Sequence, residues 1–265
     1  MMTELSPGIP LRWSAPGRWL LFAIAVMCCG PGVVNAQVFG TNLIVNGNAE
    51  TGPGSSDGST LPVPNAPGWA VTGALIVNQY NIAGGFPLAT DPGSPTRAAN
   101  YFAGGANNAS SNVAQTISVA AGAAAIDAGS VTYSLSGWLG GFDGQDDNAA
   151  LSVTFRNGGG TAIGSVSVGP VLSAARGGAT GMSLVSTGGA LPVGTRTIDV
   201  LLQMTRASGS YNDGYADDLS LVLSGPASAQ QAVPTLNQWC LLLLMGLLAL
   251  AAGCYLRSSG SVRRR

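Results

Sequence analysis

Residues 131–139, Val-Thr-Tyr-Ser-Leu-Ser-Gly-Trp-Leu, alternate between apolar and polar side chains with a period of two. Successive side chains of a β-strand point to opposite faces, so Val131, Tyr133 and Leu135 are predicted on one face and Trp138 on the other. Half-buried strands of antiparallel sheets have this pattern. This stretch therefore predicts a β fold.

The same alternation recurs along the chain, and no convincing helical period replaces it. It appears in 151–156, 197–205 and 219–223. Clusters of Gly, Asn, Asp and Pro lie between these segments and supply the turns that connect strands. The one helix candidate, 120–126, is interpreted as a single turn. We therefore predict that residues 37–223 form one all-β domain, an antiparallel β-sandwich of the jelly-roll kind.

The amino-acid composition excludes much of enzyme chemistry. The chain has 265 residues, no histidine, and 11 basic residues that are all arginine. Without histidine there is no Ser-His-Asp or Cys-His nucleophile and no imidazole-bound zinc, and without lysine there is no Schiff base or P-loop. Carboxylate chemistry and binding without catalysis remain.

Residues 1–36 are typical of a secretory signal peptide. Arg12 and Arg18 precede an apolar run at 19–27, and small residues lead to Ala36, which predicts cleavage before Gln37. Two alternatives are an N-terminal membrane anchor and, through the cysteine at 28, a lipoprotein signal.

The C-terminal part is predicted to cross a membrane. After a flexible linker at 224–232, residues 239–256 contain no charge and would measure about 27 Å as a helix. Trp239 and Tyr255 would lie at the two interfaces, and the basic tail 257–265 would stay in the cytoplasm. The sandwich would then face outward.

The central region is acidic and has no cysteine. All four cysteines lie near the two ends, so residues 37–232 must fold in an oxidising compartment without disulfides. This region carries five arginines and eleven acidic residues, a net charge of −6. Such a charge disfavours nucleic acid as a partner and suits a divalent cation.

One acidic cluster would form where the two ends of the sandwich meet. If its first and last strands pair, Glu50 approaches Asp217 and Asp218. Three carboxylates then make an oxygen-only site of the kind that Ca²⁺ takes. The alternative is a set of solvated acids at strand ends.

A second cluster lies in the loop 140–148. Its mixture of carboxylates, amides and an aromatic ring suits sugar hydroxyls and sugar ring faces. The candidate ligand-binding residues are Tyr101, Trp138, Phe142, Gln145, Asp146, Asp147 and Asn148. A hydrated hairpin loop is the alternative. Asp146 and Asp147 are adjacent and point apart on a strand, so they do not by themselves form a glycosidase pair.

Three short motifs resemble the framework of galactose-binding-like jelly rolls, a superfamily that includes many carbohydrate-binding modules. They are Asn-Leu-Ile-Val-Asn-Gly-Asn-Ala-Glu at 42–50, Pro-Gly-Trp at 67–69 and Tyr-Ala-Asp-Asp-Leu-Ser-Leu at 215–221. In that superfamily a structural calcium commonly joins the Glu of the opening motif to the Asp of the closing one. The resemblance implies Glu50 and either Asp217 or Asp218 as ligands.

The segment Val-Pro-Thr-Leu-Asn-Gln-Trp at 233–239, with the apolar run and the arginines after it, closely resembles the IPTL-CTERM protein-sorting signal of Gram-negative bacteria. The motif positions are Val233, Pro234, Thr235, Leu236 and Trp239. The resemblance implies an exosortase-type enzyme that cuts near the motif and frees the protein for the cell surface or matrix. A plain single-pass anchor is the alternative.

Together these features predict an exported, non-catalytic β-sandwich that binds carbohydrate, with extracellular polysaccharide, a sorting enzyme and the membrane as partners. Two other classes of function stay open. One is a self-associating structural or adhesive matrix protein, and the other is a glycoside hydrolase whose carboxylates come from distant loops.

Overall fold

The structure, a computed structural model, describes residues 38–59, 66–226, 245–250 and 252. Nearly all of its regular structure is β-strand. The elements are β1 (Ala70–Thr72), β2 (Ile76–Gln79), β3 (Asn100–Ala106), β4 (Ser110–Ser118), α1 (Ala123–Asp127), β5 (Thr132–Gly141), β6 (Asn148–Asn157), β7 (Ala162–Val168), β8 (Gly181–Ala190), β9 (Thr195–Thr205) and β10 (Tyr211–Ser224), with short 3-10 turns at Ala120–Gly122 and Ser173–Arg176.

The strands form two five-stranded antiparallel sheets. The first sheet has the order β1-β4-β9-β6-β7 and the second β2-β3-β10-β5-β8. This confirms the predicted antiparallel β-sandwich. The helix candidate at 120–126 is a 3-10 turn followed by the five-residue α1, so the helical segment is short but longer than the single turn expected.

The core lies between the two sheets and is aliphatic. Burial alternates along β6, where Leu151 and Val153 are fully buried while their neighbours are half-buried. They belong to one core cluster with Leu135 and Leu139 of β5 and Leu202 of β9. The period of two therefore produces the core, because every second side chain faces the opposite sheet.

The opening segment pairs with the last strand. The N–H of Gly40 donates to the carbonyl of Leu223 (2.9 Å), and the N–H of Leu43 donates to that of Leu221 (2.8 Å). The Asn42 side chain also accepts a hydrogen bond from the N–H of Leu221. The two chain ends of the sandwich therefore meet, as the sequence predicts.

The second sheet carries a smaller apolar cluster on its outer face. Residues that alternate with the core positions form it, since Val77 and Phe102 face the core while Ile76 and Tyr101 face outward. The segment between β2 and β3 lies over this face through Tyr80, which packs against Tyr101. The outer face is therefore partly enclosed.

The two ends of the chain lie largely outside the described residues. The predicted signal peptide, cleavage site and sorting motif fall outside the described residues. Of the predicted span 239–256, residues 245–250 and 252 are helical. Within the described part of the chain, no helix combines the length and hydropathy needed to cross a membrane.

Candidate ligand-binding site

One row of side chains crosses the outer face of the second sheet from β2 to β8. It contains Asn78, Tyr101, Asp217, Trp138 and Leu184. The first three are fully buried, Trp138 is half-buried, and Leu184 is 56% exposed. Trp138 lies on the outward face, as predicted.

Tyr101 is not available to a ligand. Its ring is fully buried, 4.8 Å from the ring of Tyr80 and 5.5 Å from that of Tyr215. Asn78 donates a hydrogen bond to its hydroxyl. The expectation that Tyr101 extends a sugar platform is therefore wrong, because the segment after β2 covers it.

A cleft opens beside the covered part of this face, and we call it the aromatic cleft. It measures about 220 Å³ and is lined by Gly84, Gly85, Phe86, Phe142, Tyr211 and Asp213. The rings of Phe86 and Tyr211 meet edge to face at 5.2 Å. A Cβ on Gly85, where φ is +93°, would lie 2.7 Å from the Phe142 ring, so this wall requires glycine.

Asp213 supplies a carboxylate to the aromatic cleft. The Tyr215 hydroxyl donates to its Oδ1 at 2.6 Å. Burial raises the pKa of Asp213 to about 6; the nearby Asp147 carboxylate also raises it, whereas the Tyr215 hydrogen bond lowers it. Asp213 is therefore ionised at neutral pH and can accept hydrogen bonds.

Asp147 holds the cleft in shape and does not face it. It is fully buried, and its Oδ1 accepts the N–H groups of Ala207 (2.7 Å) and Ser208 (2.9 Å). Its Oδ2 accepts the N–H of Asp213 at 2.8 Å. The prediction that Asp147 contacts a ligand is therefore wrong, since these bonds fix the turn that presents Asp213.

The other predicted residues of the loop lie outside the cleft lining. Asp146 is exposed and accepts the N–H of Ser173 at 3.0 Å, and Asn148 donates to the Asp146 carbonyl. Gln145 is half-buried, and its carbonyl accepts a hydrogen bond from Arg176. Of the loop residues predicted to bind a ligand, Phe142 is therefore the one that lines the cleft.

Sequence reasoning missed Phe86, Tyr211 and Asp213. These residues come from the segment after β2 and from the start of β10, far from Phe142 along the chain. The only local signals were the glycine pair before Phe86 and the turn around 209–214. Neither signal shows that the two segments meet.

The acidic cluster predicted to bind calcium lies further along β10. The pairing of β10 with β5 shifts register between Asp217 and Ser220, and Asp218 has φ +46°. Both carboxylates consequently reach the segment between β2 and β3. Tyr80 donates to Asp217 at 2.8 Å, and Thr96 donates to Asp218 at 2.8 Å.

Asp217 is within electrostatic reach of both Glu50 and Asp218. The pKa of Asp217 is raised to about 7, mainly by burial and also by the charges of Asp218 and Glu50, while hydrogen bonds from Tyr80 and from the Asp218 N–H lower it. Glu50 accepts the N–H of Asn100 at 2.7 Å. In the described residues no group of three or more acidic, cysteine or histidine side chains is arranged to hold a metal. Calcium therefore stays a prediction.

A larger cleft of about 340 Å³ lies beside Asp218. Its polar lining comes from Asn42, Asn46, Asn48, Asp218 and Ser220, and no aromatic side chain of the described residues lines it. A sugar ring binds best where polar groups and a ring face occur together. The aromatic cleft has both, so it is the stronger candidate for a sugar site.

The described residues thus form a β-sandwich with a ring-lined cleft on one sheet. Residues 231–265 match the IPTL-CTERM motif. This match confirms the recognition of a sorting signal in Val233 to Trp239 and the residues after it. No curated protein shows significant similarity to the chain.

Several solved structures are similar to the chain, at low identity and low TM-score. One is the enzymatically active domain of tailspike protein 4 of bacteriophage CBA120, with 15% identity and a TM-score of 0.39, over 70% of this chain and 21% of that one. Another is a family 61 carbohydrate-binding module in complex with β-1,4-galactotriose, with 16% identity and a TM-score of 0.40, over 69% and 98%. A third is the CBM22-1 xylan-binding domain of Paenibacillus barcinonensis Xyn10C, with 14% identity and a TM-score of 0.37, over 72% and 100%. Similarity this low does not identify a ligand.

Proposed function

We propose that this chain is an exported surface or matrix protein of a Gram-negative bacterium and that its sandwich binds a polysaccharide without cleaving it. The aromatic cleft carries the proposal. Phe86, Phe142 and Tyr211 offer ring surface, while Asp213 places a carboxylate at the same cleft. The Tyr211 hydroxyl is bonded to the Gly58 carbonyl and the Asn78 amide, which fixes the orientation of its ring. Sugars present both apolar ring faces and hydroxyls, and this combination complements them.

The carboxylates support binding rather than hydrolysis. Glycoside hydrolases generally use two carboxyl groups that flank the scissile bond. Asp213 is the one carboxylate in the lining of the aromatic cleft. Both carboxylate oxygens of the neighbouring Asp147 accept hydrogen bonds from backbone N–H groups. Among the described residues, the lining of the aromatic cleft therefore holds one carboxyl group and not a facing pair.

The binding test uses the full chain in detergent against a panel of soluble neutral and acidic polysaccharides. We expect retention by at least one polymer and no release of reducing sugar. Phe142→Ala should raise Kd about tenfold, or about 1.4 kcal/mol, through loss of ring contact.

The matched control for this test is Val193→Ala, because Val193 is 60% exposed and is not among the residues that line the cleft. Its affinity should equal that of the wild type. Absence of binding to every polymer, including those of the producing cell, or equal affinities of the Phe142 and Val193 variants, would refute the proposal.

Sorting is the second part of the proposal, and the IPTL-CTERM match supports it. We propose that an exosortase-type enzyme cuts near Val233 after the apolar helix has held the chain in the inner membrane. Pro234→Ala, or deletion of residues 263–265, should leave the unprocessed chain in the membrane. Intact mass measurement of the secreted protein checks this, and unchanged processing in both variants would indicate an ordinary anchor.

A structural calcium ion is the third part. Glu50, Asp217 and Asp218 would supply the oxygen ligands, and a divalent cation would offset the burial of Asp217 and its repulsion by Asp218 and Glu50. Chelation should lower the melting temperature, and Glu50→Gln should remove that response. Asp91→Asn, a carboxylate outside this cluster, should respond as the wild type does. A melting curve that chelator does not shift would rule the site out.

A further inference from the structure

The four edge strands of the sandwich differ in length. On one side, β1 has three residues and β2 has four. On the other side, β7 has seven residues and β8 has ten. Because an edge strand exposes unpaired backbone groups, proteins usually shorten, charge or distort it. The β1 and β2 edges follow that rule through their shortness.

Beyond Met182, the β8 edge has none of these protective features. Its residues, Gly-Met-Ser-Leu-Val-Ser-Thr-Gly-Gly-Ala at 181–190, include no charge and no proline. It pairs with β5 without a register shift from Gly181 to Ala190. The β7 edge is shorter, and its pairing with β6 shifts register between Phe155 and Arg156. The straight β8 edge is therefore the better template for another strand.

One hydrogen bond shows which backbone groups of β8 point away from β5. The N–H of Met182 donates to the carbonyl of Pro92, a residue outside the sheet, at 2.8 Å. Outward and inward groups alternate along an antiparallel strand, so Leu184, Ser186 and Gly188 also direct their N–H and C=O groups away from β5. In the described part of the chain these groups have no hydrogen-bond partner, and all three residues are exposed.

We infer that this edge is a dimerisation surface on which β8 of a second copy pairs antiparallel, with a two-fold axis at Ser186. This register places Leu184 opposite Gly188 of the partner and Ser186 opposite itself. These are hydrogen-bonded positions on both strands. The outward N–H and C=O groups of the two copies therefore bond to each other, with two hydrogen bonds in each residue pair. The two second sheets then join into one continuous sheet.

Three features favour a second copy as the occupant. The register is self-complementary, as a two-fold interface requires. The exposed Leu184 side chain meets a glycine, which leaves room for it. The strand carries no charge, so pairing brings no like charges face to face even though the sandwich is acidic. The inference is independent of the polysaccharide proposal.

Sedimentation velocity of the full chain in detergent, over a range of protein concentrations, tests this surface. We expect a reversible dimer. Ser186→Pro removes an outward N–H without touching the β5 ladder, and Leu184→Lys places a charge on the edge. Each should raise the dimer Kd at least about tenfold. Leu172→Lys, an exposed apolar position outside β8, is the control and should leave it unchanged.

Thermal melting establishes that each variant is folded, and Leu184→Lys decides the question if Ser186→Pro does not fold. A wild-type chain that stays monomeric at every concentration would refute the inference. A dimer that persists with unchanged Kd in the folded edge variants would refute it as well, because the contact would then lie elsewhere.

Discussion

The second sheet has two buried faces that are stabilised in different ways. The inner face presents Phe102, Leu135 and Leu221 to the aliphatic core. The outer face buries Tyr101 and Asp217 just as completely, but under a loop and with their polar atoms hydrogen-bonded. Burial alone therefore does not distinguish core from site. The outer face depends on specific hydrogen bonds, and a cleft opens beside it.

The largest expected effect is on the inner face. Leu135→Ala should lower the free energy of unfolding by about 2–5 kcal/mol, because a fully buried side chain leaves a cavity between the sheets. Urea denaturation measures this. Val193→Ala, at an exposed position, should change it by less than about 0.5 kcal/mol. A cost for Leu135→Ala no larger than that of the control would contradict the assigned core.

A smaller effect is expected on the outer face. Tyr80→Phe removes the hydroxyl that donates to Asp217 and should cost about 1–3 kcal/mol, since a buried acceptor loses its partner. Tyr133→Phe is the control, because it keeps the ring that packs against Phe155 and lies away from Asp217. Equal denaturation midpoints for the two variants would show that the loop is not held by this bond.

The inner face could be predicted from the sequence and the outer one could not. Alternation is a local signal, and it located the strands around Leu135, Leu151 and Leu202. The burial of Tyr101 depends on the loop that carries Tyr80, which is distant in sequence. Adjacent strand residues such as Asp217 and Asp218 should point to opposite faces of the sheet. The register shift and the positive φ at Asp218 instead let both carboxylates reach the segment between β2 and β3.

The two acidic clusters also show that local sequence patterns do not reveal contacts between distant segments. The meeting of the chain ends was predictable from the motifs at 42–50 and 215–221, and the structure pairs these segments. The aromatic cleft was predictable only at Phe142, because its other walls come from separate segments. The buried role of Asp147 follows from a turn at 207–213 that the local sequence does not reveal.

The smallest expected effect concerns pH. Asp213 has a pKa of about 6 in the folded chain and about 3.9 in an unfolded one. The folded state therefore binds more protons between these values, so the contribution of Asp213 to stability is present below about pH 4 and is lost as the pH rises through about 6. Asp213→Asn should flatten this part of the stability profile.

Denaturation midpoints between about pH 4 and pH 7.5 measure that profile. Asp143→Asn, at an exposed carboxyl of the neighbouring loop, is the control and should retain the wild-type slope. An unchanged slope in Asp213→Asn would mean that Asp213 is not desolvated in the cleft.

Hydrogen–deuterium exchange of the full chain, with and without a polysaccharide that binds it, tests most directly whether the outer face of the second sheet holds the ligand. We expect slower exchange in peptides that contain 84–86, 142 and 211–213, the walls of the aromatic cleft. The asparagine-lined cleft at 42–48 should exchange at the same rate in both samples. Protection confined to 42–48 or to the loop at 157–160, with the aromatic cleft unaffected, would contradict this account.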